Sequence, residues 1–337
     1  MSQSNISQSG FQAPAAQGAA PPDLSVVIVS WNVCELVLDC LEALQAPATA
    51  GELRLEVIVV DNASSDGTVE ALRGRPGVRV VEAGGNLGYG RANNLGFSLA
   101  TGRHLLVLNP DTLPQPGCLA ALVCCLESHP LVGMASPRLL NADGSVQAAA
   151  FRFPTLVMAA LDLFPLPRIV PGRLRQRLYA SRVNGRYPQE VSATEPFMID
   201  HPLGACMLVR RGVIEEVGGF DPAIHMYSEE VDLAMRLQRS GWERWQVPAA
   251  RVVHLGGRST AQIPDRMYVE LWRSRLYLYR KYRPLTARIA LGVLIAVAQL
   301  AAAFGALLGL ATRVITPREA RRRWRRASAV LRLIAGL

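Results

Sequence analysis

The sequence is poor in cysteine, and its few cysteines form no pattern that would bind a metal or build a disulfide framework. There are six in 337 residues, at positions 34, 40, 118, 124, 125 and 206. Neither the paired spacing of a zinc site nor the regular spacing of a disulfide-rich domain is present. We therefore expect small, buried, reduced thiols in a cytosolic compartment.

The first 22 residues lack both charged side chains and apolar runs. They consist mainly of Ser, Gln, Ala, Gly and Pro, a composition that cannot bury a core. A secretory signal needs a basic start followed by an apolar segment, so we expect none here. Residues 1–22 are predicted to form a disordered tail.

The turn after the first apolar run lacks the glycines of a dinucleotide-binding loop. That loop would read G-x-G-x-x-G directly after the first strand, whereas Trp31, Asn32 and Val33 stand there. The nearest glycine cluster starts at Gly88, after the third predicted strand, and lacks the final glycine. This pattern argues against a dinucleotide-binding oxidoreductase.

Short apolar runs alternate with amphipathic helical stretches from residue 24 onward. The predicted strands are 24–30, 53–60, 78–82, 104–109 and 131–136, and the predicted helices are 35–44, 68–73, 91–100 and 118–127. Continuous apolar strands joined by helices predict an α/β fold, in which helices cover both faces of a mostly parallel sheet. Farther along we expect a hairpin at 138–147, a strand at 201–211, a helix at 227–241 with Ser228 as its N-cap, and a strand at 243–253.

Polar residues follow each of the first four predicted strands. They are Ser30 with Asn32, then Asp61, then Asn86, and finally Asn109 with Asp111. Because ligands of a parallel sheet bind beyond the carboxyl ends of its strands, we expect these side chains to meet at one edge. Such a convergence of polar groups suits nucleotide recognition.

Two aspartates and one histidine are candidates for chemistry, and each has a structural alternative. Asp111 stands on a turn opened by Pro110, where it could bind a hard cation or simply cap the turn. Asp61 could equally form an Asx turn into the next helix. His254 ends an apolar strand and is either a core histidine or, if the fold returns it beside Asp111, a nitrogen ligand to the same metal.

The predicted helix at 227–241 opens with three acids, Glu229, Glu230 and Asp232. First-turn acids usually pair with the helix dipole, and Asp232 has the spacing for an ion pair with Arg236. Only one of Glu229 and Glu230 can face a substrate. The positive helix end should lower the pKa of either carboxyl group, so a general base at this place would need burial to offset that effect.

Taken in order, six segments resemble family 2 glycosyltransferases of the GT-A fold, in particular their rhamnosyltransferase-like branch. They are SVVIVSWN at 25–32, VDNASSDGT at 60–68, NLGYGRANNLG at 86–96, LNPDT at 108–112, GFDP at 219–222 and YSEEVDL at 227–233. The resemblance covers roughly residues 24–283. It implies an inverting transfer of a sugar from a nucleotide diphosphate donor, by single displacement, with a divalent metal (Mg²⁺ or Mn²⁺) and a carboxylate general base.

The resemblance also implies how the donor would be held. Asp61 would contact the nucleobase or the ribose, and Ser30 and Asn32 would line the same pocket. Asn86 and Arg91 would lie near the ribose and the diphosphate.

For the metal and the base, the resemblance makes Asp111 the remaining acid of the family's D-x-D motif, whose first position is Asn109 here. The loss of one carboxylate raises the importance of His254 as a second protein ligand. The family's usual Glu-Asp pair is matched by Glu229 and Glu230, which places Glu230 at the position of the base and leaves Glu229 as the second candidate.

The branch favours dTDP-rhamnose as the donor and a lipid-linked or polysaccharide acceptor, while UDP-galactose, UDP-N-acetylglucosamine and GDP-mannose stay open. A sugar-phosphate nucleotidyltransferase is one alternative, but it would need a glycine-rich basic loop after the first strand. An inactive membrane-anchored scaffold is another. It should have lost some of Asp61, Asp111, Glu230 and His254, and all four are present.

The C-terminal part joins a long uncharged segment to clustered arginines. Residues 289–312 are 24 positions without a charge, bounded by Arg288 and Arg313, and would form about 36 Å of helix. A spanning helix would leave arginines on both sides of the bilayer, against the positive-inside tendency. We therefore expect a helix, or a helical pair bent at Gly305 and Gly309, that enters the membrane from its cytoplasmic face and returns to it. A buried core helix is the alternative.

The basic stretch 318–332 should then lie on anionic lipid headgroups, because arginines that flank an apolar segment indicate lipid rather than nucleic acid. The predicted organisation is a tail at 1–22, a glycosyltransferase domain at 23–283, and a membrane-associated segment at 284–337 made of an apolar helix and a basic amphipathic tail.

Overall fold

The computed structural model describes residues 21–46, 49, 51–167, 169–256 and 263–334, so most of the predicted tail lies outside the described residues. The strands are β1 (Leu24–Ser30), β2 (Leu55–Asp61), β3 (Val78–Glu82), β4 (His104–Leu108), β5 (Thr112–Pro114), β6 (Val132–Leu140), β7 (Ala150–Phe151), β8 (Phe197–Met198), β9 (His201–Pro202), β10 (Cys206–Arg210) and β11 (Glu243–His254). The α-helices are α1 (Cys34–Gln45), α2 (Thr68–Leu72), α3 (Tyr89–Leu99), α4 (Cys118–Ser128), α5 (Leu156–Leu163), α6 (Gly172–Tyr179), α7 (Arg211–Val217), α8 (Glu229–Arg239), α9 (Pro264–Tyr282), α10 (Leu285–Ala311) and α11 (Pro317–Ile334).

One large sheet organises the chain, with strand order β3-β2-β1-β4-β10-β6-β11-β5. The first four of these strands are mutually parallel, and β6 is parallel to β11. Between the two parallel groups, β10 runs antiparallel to both β4 and β6. The carboxyl ends of β1, β2, β4, β6 and β11 therefore reach the same edge, and the predicted GT-A type, mostly parallel sheet flanked by helices is confirmed.

Helices cover both faces of the sheet because the central strands are apolar on both sides. In β1, Val26 and Ile28 pack with α1 and α4 on one face, whereas Val27 packs with α3, α7 and α8 on the other. Each aliphatic side chain buried in this way contributes about 1.5–3 kcal/mol. These two packed layers hold the carboxyl edge of the sheet in place.

Three later segments differ from the sequence prediction in detail. The strand predicted at 201–211 is interrupted around Gly204, which separates β9 from β10, and Arg211 already belongs to α7. The hairpin at 138–147 is reduced to a tight turn with a single antiparallel bridge between Leu140 and Val146. Ser228 does stand at the N-cap of α8, but its φ is +69° and its hydroxyl makes no capping hydrogen bond, so the predicted side-chain cap is wrong.

The C-terminal helices α9, α10 and α11 pack together. Helix α10 runs without interruption through Gly305 and Gly309, so the predicted bend at these glycines is not found. The chain instead reverses after α10 at Arg313, whose φ is +57°, and α11 returns to pack against α9 and α10 through Val330. In the described residues, α10 is the one helix with the length and apolar composition needed to cross a bilayer.

Candidate active site

Strand β11 brings His254 to Asp111, as the metal hypothesis required. His254 is the register partner of Thr112 in β5, and the backbone N–H of Leu255 donates to the carbonyl oxygen of Asp111 at 2.9 Å. His254 Nε2 lies 3.4 Å from Asp111 Oδ1, and each residue is only 8% exposed. The two side chains therefore face each other at the carboxyl edge of the sheet.

Gln147 holds the imidazole of His254 from the other side, a contact that the sequence pattern did not reveal. Its Oε1 lies 2.6 Å from Nδ1 of His254. Its Nε2 donates to Oδ1 of Asn141 at 3.0 Å and to the backbone carbonyl of His254 at 3.3 Å. Because both partners of Nε2 are acceptors, the amide can have only this orientation, and Nδ1 of His254 must carry the proton that Oε1 accepts.

The hydrogen on Nδ1 leaves a lone pair on Nε2 of neutral His254, and that lone pair faces the carboxylate of Asp111. Two acceptors so close need a cation or a proton between them. Asn109, two residues before Asp111, has a buried Oδ1 without a hydrogen-bond partner in the described part of the chain. Within those same ranges, no third His, Cys, Asp or Glu joins Asp111 and His254 in a cluster.

Ser30 and Asp61 lie side by side where β1 and β2 end, since they are register partners. Asp61 is 2% exposed, and its Oδ2 accepts the backbone N–H of Ser64 at 2.8 Å. This bond reaches three residues on, whereas the predicted Asx turn would reach two. Its Oδ1 and the hydroxyl of Ser30 are buried without hydrogen-bond partners in the described residues. The hydrogen bond from Ser64 thus uses one carboxylate oxygen and leaves the other with Ser30 to bind a ligand.

Asn32 and Asn62 tie together the loops around this pair. Asn32 Oδ1 accepts the backbone N–H of Ser65 at 2.8 Å, which fixes the loop after β2. Asn62 reaches the loop before α3 through hydrogen bonds to Leu87 and Gly88, both at 3.3 Å. Asn62 lies in the segment at 60–68, but the sequence pattern does not predict this role, because an amide beside a candidate acid gives no signal of its own.

The side chains of Asn86 and Arg91 are engaged mainly with the backbone near them. Asn86 Oδ1 accepts the N–H of Gly88 at 3.0 Å, and Arg91 Nε donates to the carbonyl oxygen of Pro222 at 2.7 Å. Asp66 caps the starts of α2 and α1 through hydrogen bonds from Thr68 and from the backbone N–H of Cys34.

Glu229 and Glu230 open α8 but lie in different surroundings. Glu229 is 2% exposed and packs beside Gly90, where an added Cβ would come within 3.4 Å of its Cγ. Glu230 is partly exposed, and its side chain packs against Gly204. A Cβ added to Gly204 would lie 3.6 Å from Cβ of Glu230. Glu230 is therefore the more exposed of the two glutamates.

Burial dominates the electrostatics of both glutamates. It raises the pKa of Glu230 to about 7, against the lowering effect of the backbone N–H groups at the start of α8. Burial, and next the charge of Glu230, raise the pKa of Glu229 well above its ordinary value. For both carboxyl groups, burial raises the pKa by more than the positive end of α8 lowers it, which a general base at this place requires.

Tyr89 connects the parts of the site. Its hydroxyl donates to the carbonyl oxygen of Gly204 at 2.5 Å. Burial raises the pKa of its phenol, and so do the negative charges of Glu229, Glu230 and, more weakly, Asp111. The carboxyl groups after β4 and at the start of α8 therefore act on one phenol, although 118 positions separate Asp111 from Glu229 in the sequence.

Asp232 has the structural role that its spacing predicted. It is fully buried and accepts hydrogen bonds from Arg236 at 2.8 Å, Lys281 at 2.7 Å and Tyr282 at 2.7 Å. The last two residues belong to α9. The helix that carries Glu229 and Glu230 is therefore fixed to the C-terminal helices by a satisfied buried charge.

Comparisons with known proteins agree with this fold. The family model "Glycosyl transferase family 2" matches residues 25–218. The chain belongs to glycosyltransferase family 2 and is similar to the rhamnosyltransferases in it. It is therefore a glycosyltransferase, and the nucleotidyltransferase alternative is set aside.

Two curated relatives and one solved structure illustrate the similarity. The N-acetylglucosaminyl-diphospho-decaprenol L-rhamnosyltransferase of Mycobacterium tuberculosis is 34% identical over 227 residues, which are 64% of this chain and 71% of the relative. The rhamnosyltransferase WbbL of Escherichia coli is 24% identical over 68% of this chain and 82% of its own length. The mannosyltransferase of Pyrobaculum calidifontis, solved with GDP-Man and Mn²⁺, superposes with a TM-score of 0.51 over 95% of this chain and 89% of its own, at 19% identity. That last likeness concerns the fold.

Proposed function

We propose that this protein is an inverting rhamnosyltransferase that moves L-rhamnose from dTDP-rhamnose to a lipid-linked acceptor of cell-envelope polysaccharide biosynthesis. The observation that carries the proposal is the Asp111–His254 pair at the carboxyl edge of the sheet. The negative charge of its carboxylate and that of Glu230 act on the same phenol, Tyr89. The choice of sugar and of acceptor follows the names of the two rhamnosyltransferase relatives.

Glu230 is the general base in this proposal. In a single displacement the acceptor hydroxyl oxygen forms a bond to the anomeric carbon while the bond from that carbon to the diphosphate oxygen breaks. The carboxylate of Glu230 takes the proton of the hydroxyl, and the nucleoside diphosphate leaves with the bonding electron pair. A pKa near 7 suits a base that works at neutral pH. Glu229 is too enclosed to reach an acceptor.

Asp111 and His254 fit a divalent cation, Mg²⁺ or Mn²⁺. The fit rests on the carboxylate and on Nε2 of the imidazole, which face each other while Gln147 holds the ring at Nδ1 and leaves Nε2 as the nitrogen that a cation can reach. A cation bound there would neutralise charge on the diphosphate leaving group. With one carboxylate and one imidazole from the chain, oxygens of the donor must complete the coordination.

For the nucleoside we propose direct hydrogen bonds from the unpartnered Oδ1 of Asp61 and hydroxyl of Ser30. Asn32 lines the same pocket by fixing the loop at Ser65. We place Asn86 and Arg91 beside the ribose and the diphosphate of the donor. Each side chain already makes one hydrogen bond within the protein, Asn86 to Gly88 and Arg91 to Pro222.

We further propose that residues 23–283 form the catalytic domain and that residues 284–337 hold it on the cytoplasmic face of the membrane without crossing it. Helix α11 returns from the end of α10 and packs on α9, and Lys281 of α9 is bonded to α8. Both ends of α10 are thereby connected to the catalytic domain. A monotopic helical hairpin, formed by α10 and α11, explains this connection more simply than a helix that crosses the bilayer.

Donor turnover by the detergent-solubilised protein would test the assignment. The panel is dTDP-rhamnose, UDP-galactose, UDP-N-acetylglucosamine and GDP-mannose, each with a polyprenyl-diphosphate-linked N-acetylglucosamine acceptor, with and without a chelator. We expect chelator-sensitive release of dTDP together with a rhamnosylated lipid. Turnover of another donor would overturn the choice of sugar, and chelator-resistant turnover would overturn the metal assignment.

A further inference from the structure

A cleft rich in arginine lies between the start of α9 and α11, and none of its residues belongs to the candidate active site. Its volume is about 780 Å³. Six arginines and one aspartate line it: Arg266, Arg318, Arg321, Arg322, Arg325, Arg326 and Asp265. The five on α11 follow one another at spacings of one, three and four residues, which collects them on one side of that helix.

The positive charge of this cleft is largely uncompensated. Asp265 pairs with Arg322 and, at 3.8 Å, with Arg326. Across the described ranges, Arg318, Arg321 and Arg325 form no ion pair, and all three are exposed. Guanidinium groups held close together without acidic partners bind phosphate oxygens, because their planar forks match them with two hydrogen bonds each.

An apolar cleft adjoins the cationic one and shares its wall. It has a volume of about 500 Å³ and lies between α10 and α11, lined by Ala306, Leu307, Leu310, Ala320 and Trp324. Pro317, Arg321 and Arg325 line both clefts. A phosphate group bonded to a hydrocarbon chain would satisfy both at once, whereas a free anion would leave the apolar cleft in contact with water.

The outer side of α10 extends this apolar surface. Five of its side chains are each more than half exposed, at spacings of three and four residues: Ile289, Val293, Val297, Leu300 and Phe304. A row of this length, roughly 22 Å along the helix, is larger than one lipid molecule needs. It matches the boundary between the headgroups and the acyl chains of a bilayer.

We propose that the arginine cleft is a binding site for the phosphate of an anionic membrane phospholipid, whose acyl chain lies in the adjoining apolar cleft. The inference rests on the proposed membrane location and adds to it the lipid chemistry that the hairpin recognises. The bound lipid is assigned to the bilayer and not to the acceptor, because no candidate site residue lines either cleft.

Flotation of the full-length protein with vesicles tests this inference without donor or acceptor, so its outcome does not depend on the transfer reaction. The vesicles are phosphatidylcholine alone, phosphatidylcholine with phosphatidylglycerol, and phosphatidylcholine with a polyprenyl diphosphate. The cleft variant is Arg318→Gln with Arg321→Gln and Arg325→Gln. The control removes the same charge at the far edge of the sheet, with Arg73→Gln, Arg75→Gln and Arg79→Gln.

We expect phosphatidylglycerol to strengthen binding of the wild type to vesicles. The affinity of the cleft variant for these anionic vesicles should be about 100-fold lower than that of the wild type, while the affinity of the control should change little. Equal losses in both variants would overturn the site in favour of diffuse attraction. Equal binding to neutral and anionic vesicles would overturn the preference for an anionic lipid but leave the membrane location standing. Strengthening by the polyprenyl diphosphate alone would reassign the cleft to the acceptor. Competition by inorganic phosphate at matched ionic strength, without vesicle binding, would make it a free-anion site.

Discussion

Gln147 determines which nitrogen of His254 faces Asp111. Its amide nitrogen is committed to two acceptors, Oδ1 of Asn141 and the carbonyl oxygen of His254, so its oxygen can only accept the proton on Nδ1. The orientation of the imidazole is thus fixed, with Nε2 turned to Asp111 at 3.4 Å. A residue of this kind acts on a metal through its ligand.

Replacing Gln147 should therefore weaken metal binding without removing a ligand. We expect Gln147→Leu to lower the affinity for Mn²⁺ by about 10- to 100-fold, because Nδ1 loses its acceptor and the ring can turn or change tautomer. Gln147→Glu keeps an acceptor for Nδ1 and should stay closer to the wild type. Electron paramagnetic resonance of Mn²⁺, titrated in the presence of dTDP, measures this directly. An unchanged affinity in Gln147→Leu would show that the contact does not position His254.

Asp111→Asn tests the carboxylate itself, since the amide keeps the size of the side chain and removes its charge. We expect Mn²⁺ binding to be lost and turnover to fall by more than about 100-fold, as one of two protein ligands becomes neutral. Asp39→Asn is the matched control, because Asp39 is an exposed residue of α1. Turnover by Asp111→Asn at the rate of the control would remove Asp111 from the proposed metal site.

The pH profile should separate Glu230 from Glu229. A general base must be ionised to accept a proton, so kcat/KM should rise with pH through about 7, the pKa to which burial raises Glu230. Glu230→Gln should lose about 100- to 10,000-fold in kcat, whereas Glu230→Asp, which restores the family's usual residue, should retain measurable activity. A rise near pH 7 that persists in Glu230→Gln would assign the base elsewhere.

Glu229 should instead affect how the stability of the folded protein depends on pH. Its pKa in the folded protein is raised above the ordinary value of 4.5, so the folded state holds a proton that the unfolded state has lost. The stability from this group is complete below pH 4.5 and decreases as pH rises toward the folded pKa. Glu229→Gln removes this dependence, so the Tm of the variant relative to the wild type should increase from pH 5 to pH 8. A constant difference in Tm would contradict the raised pKa.

The sequence predicted the first strands and the position of the candidate acids after them because those signals are local. The apolar run at 24–30 and the turn residues at 109–111 each carry their own pattern. Gln147 has no such pattern, because it meets His254 from 107 residues away and only through the pairing of β6 with β11. Ser228 fitted the N-cap signature, but Tyr227 and Ser228 both have positive φ, so the tertiary packing of the turn decides against the hydroxyl cap.

The packing of α11 on α9 likewise could not be read from the sequence, and it leads to the last prediction. A cysteine in place of Arg332, near the exposed end of α11, should be labelled by a membrane-impermeant thiol reagent only in inverted vesicles, as should Ser98→Cys on the exposed side of α3. Cys34→Ser and Cys124→Ser supply the background, since these two native thiols are not buried. Labelling of the Arg332 position in right-side-out vesicles would mean that α10 crosses the bilayer. In that case α11 could not pack on α9 as it does here through Val330 and Trp272.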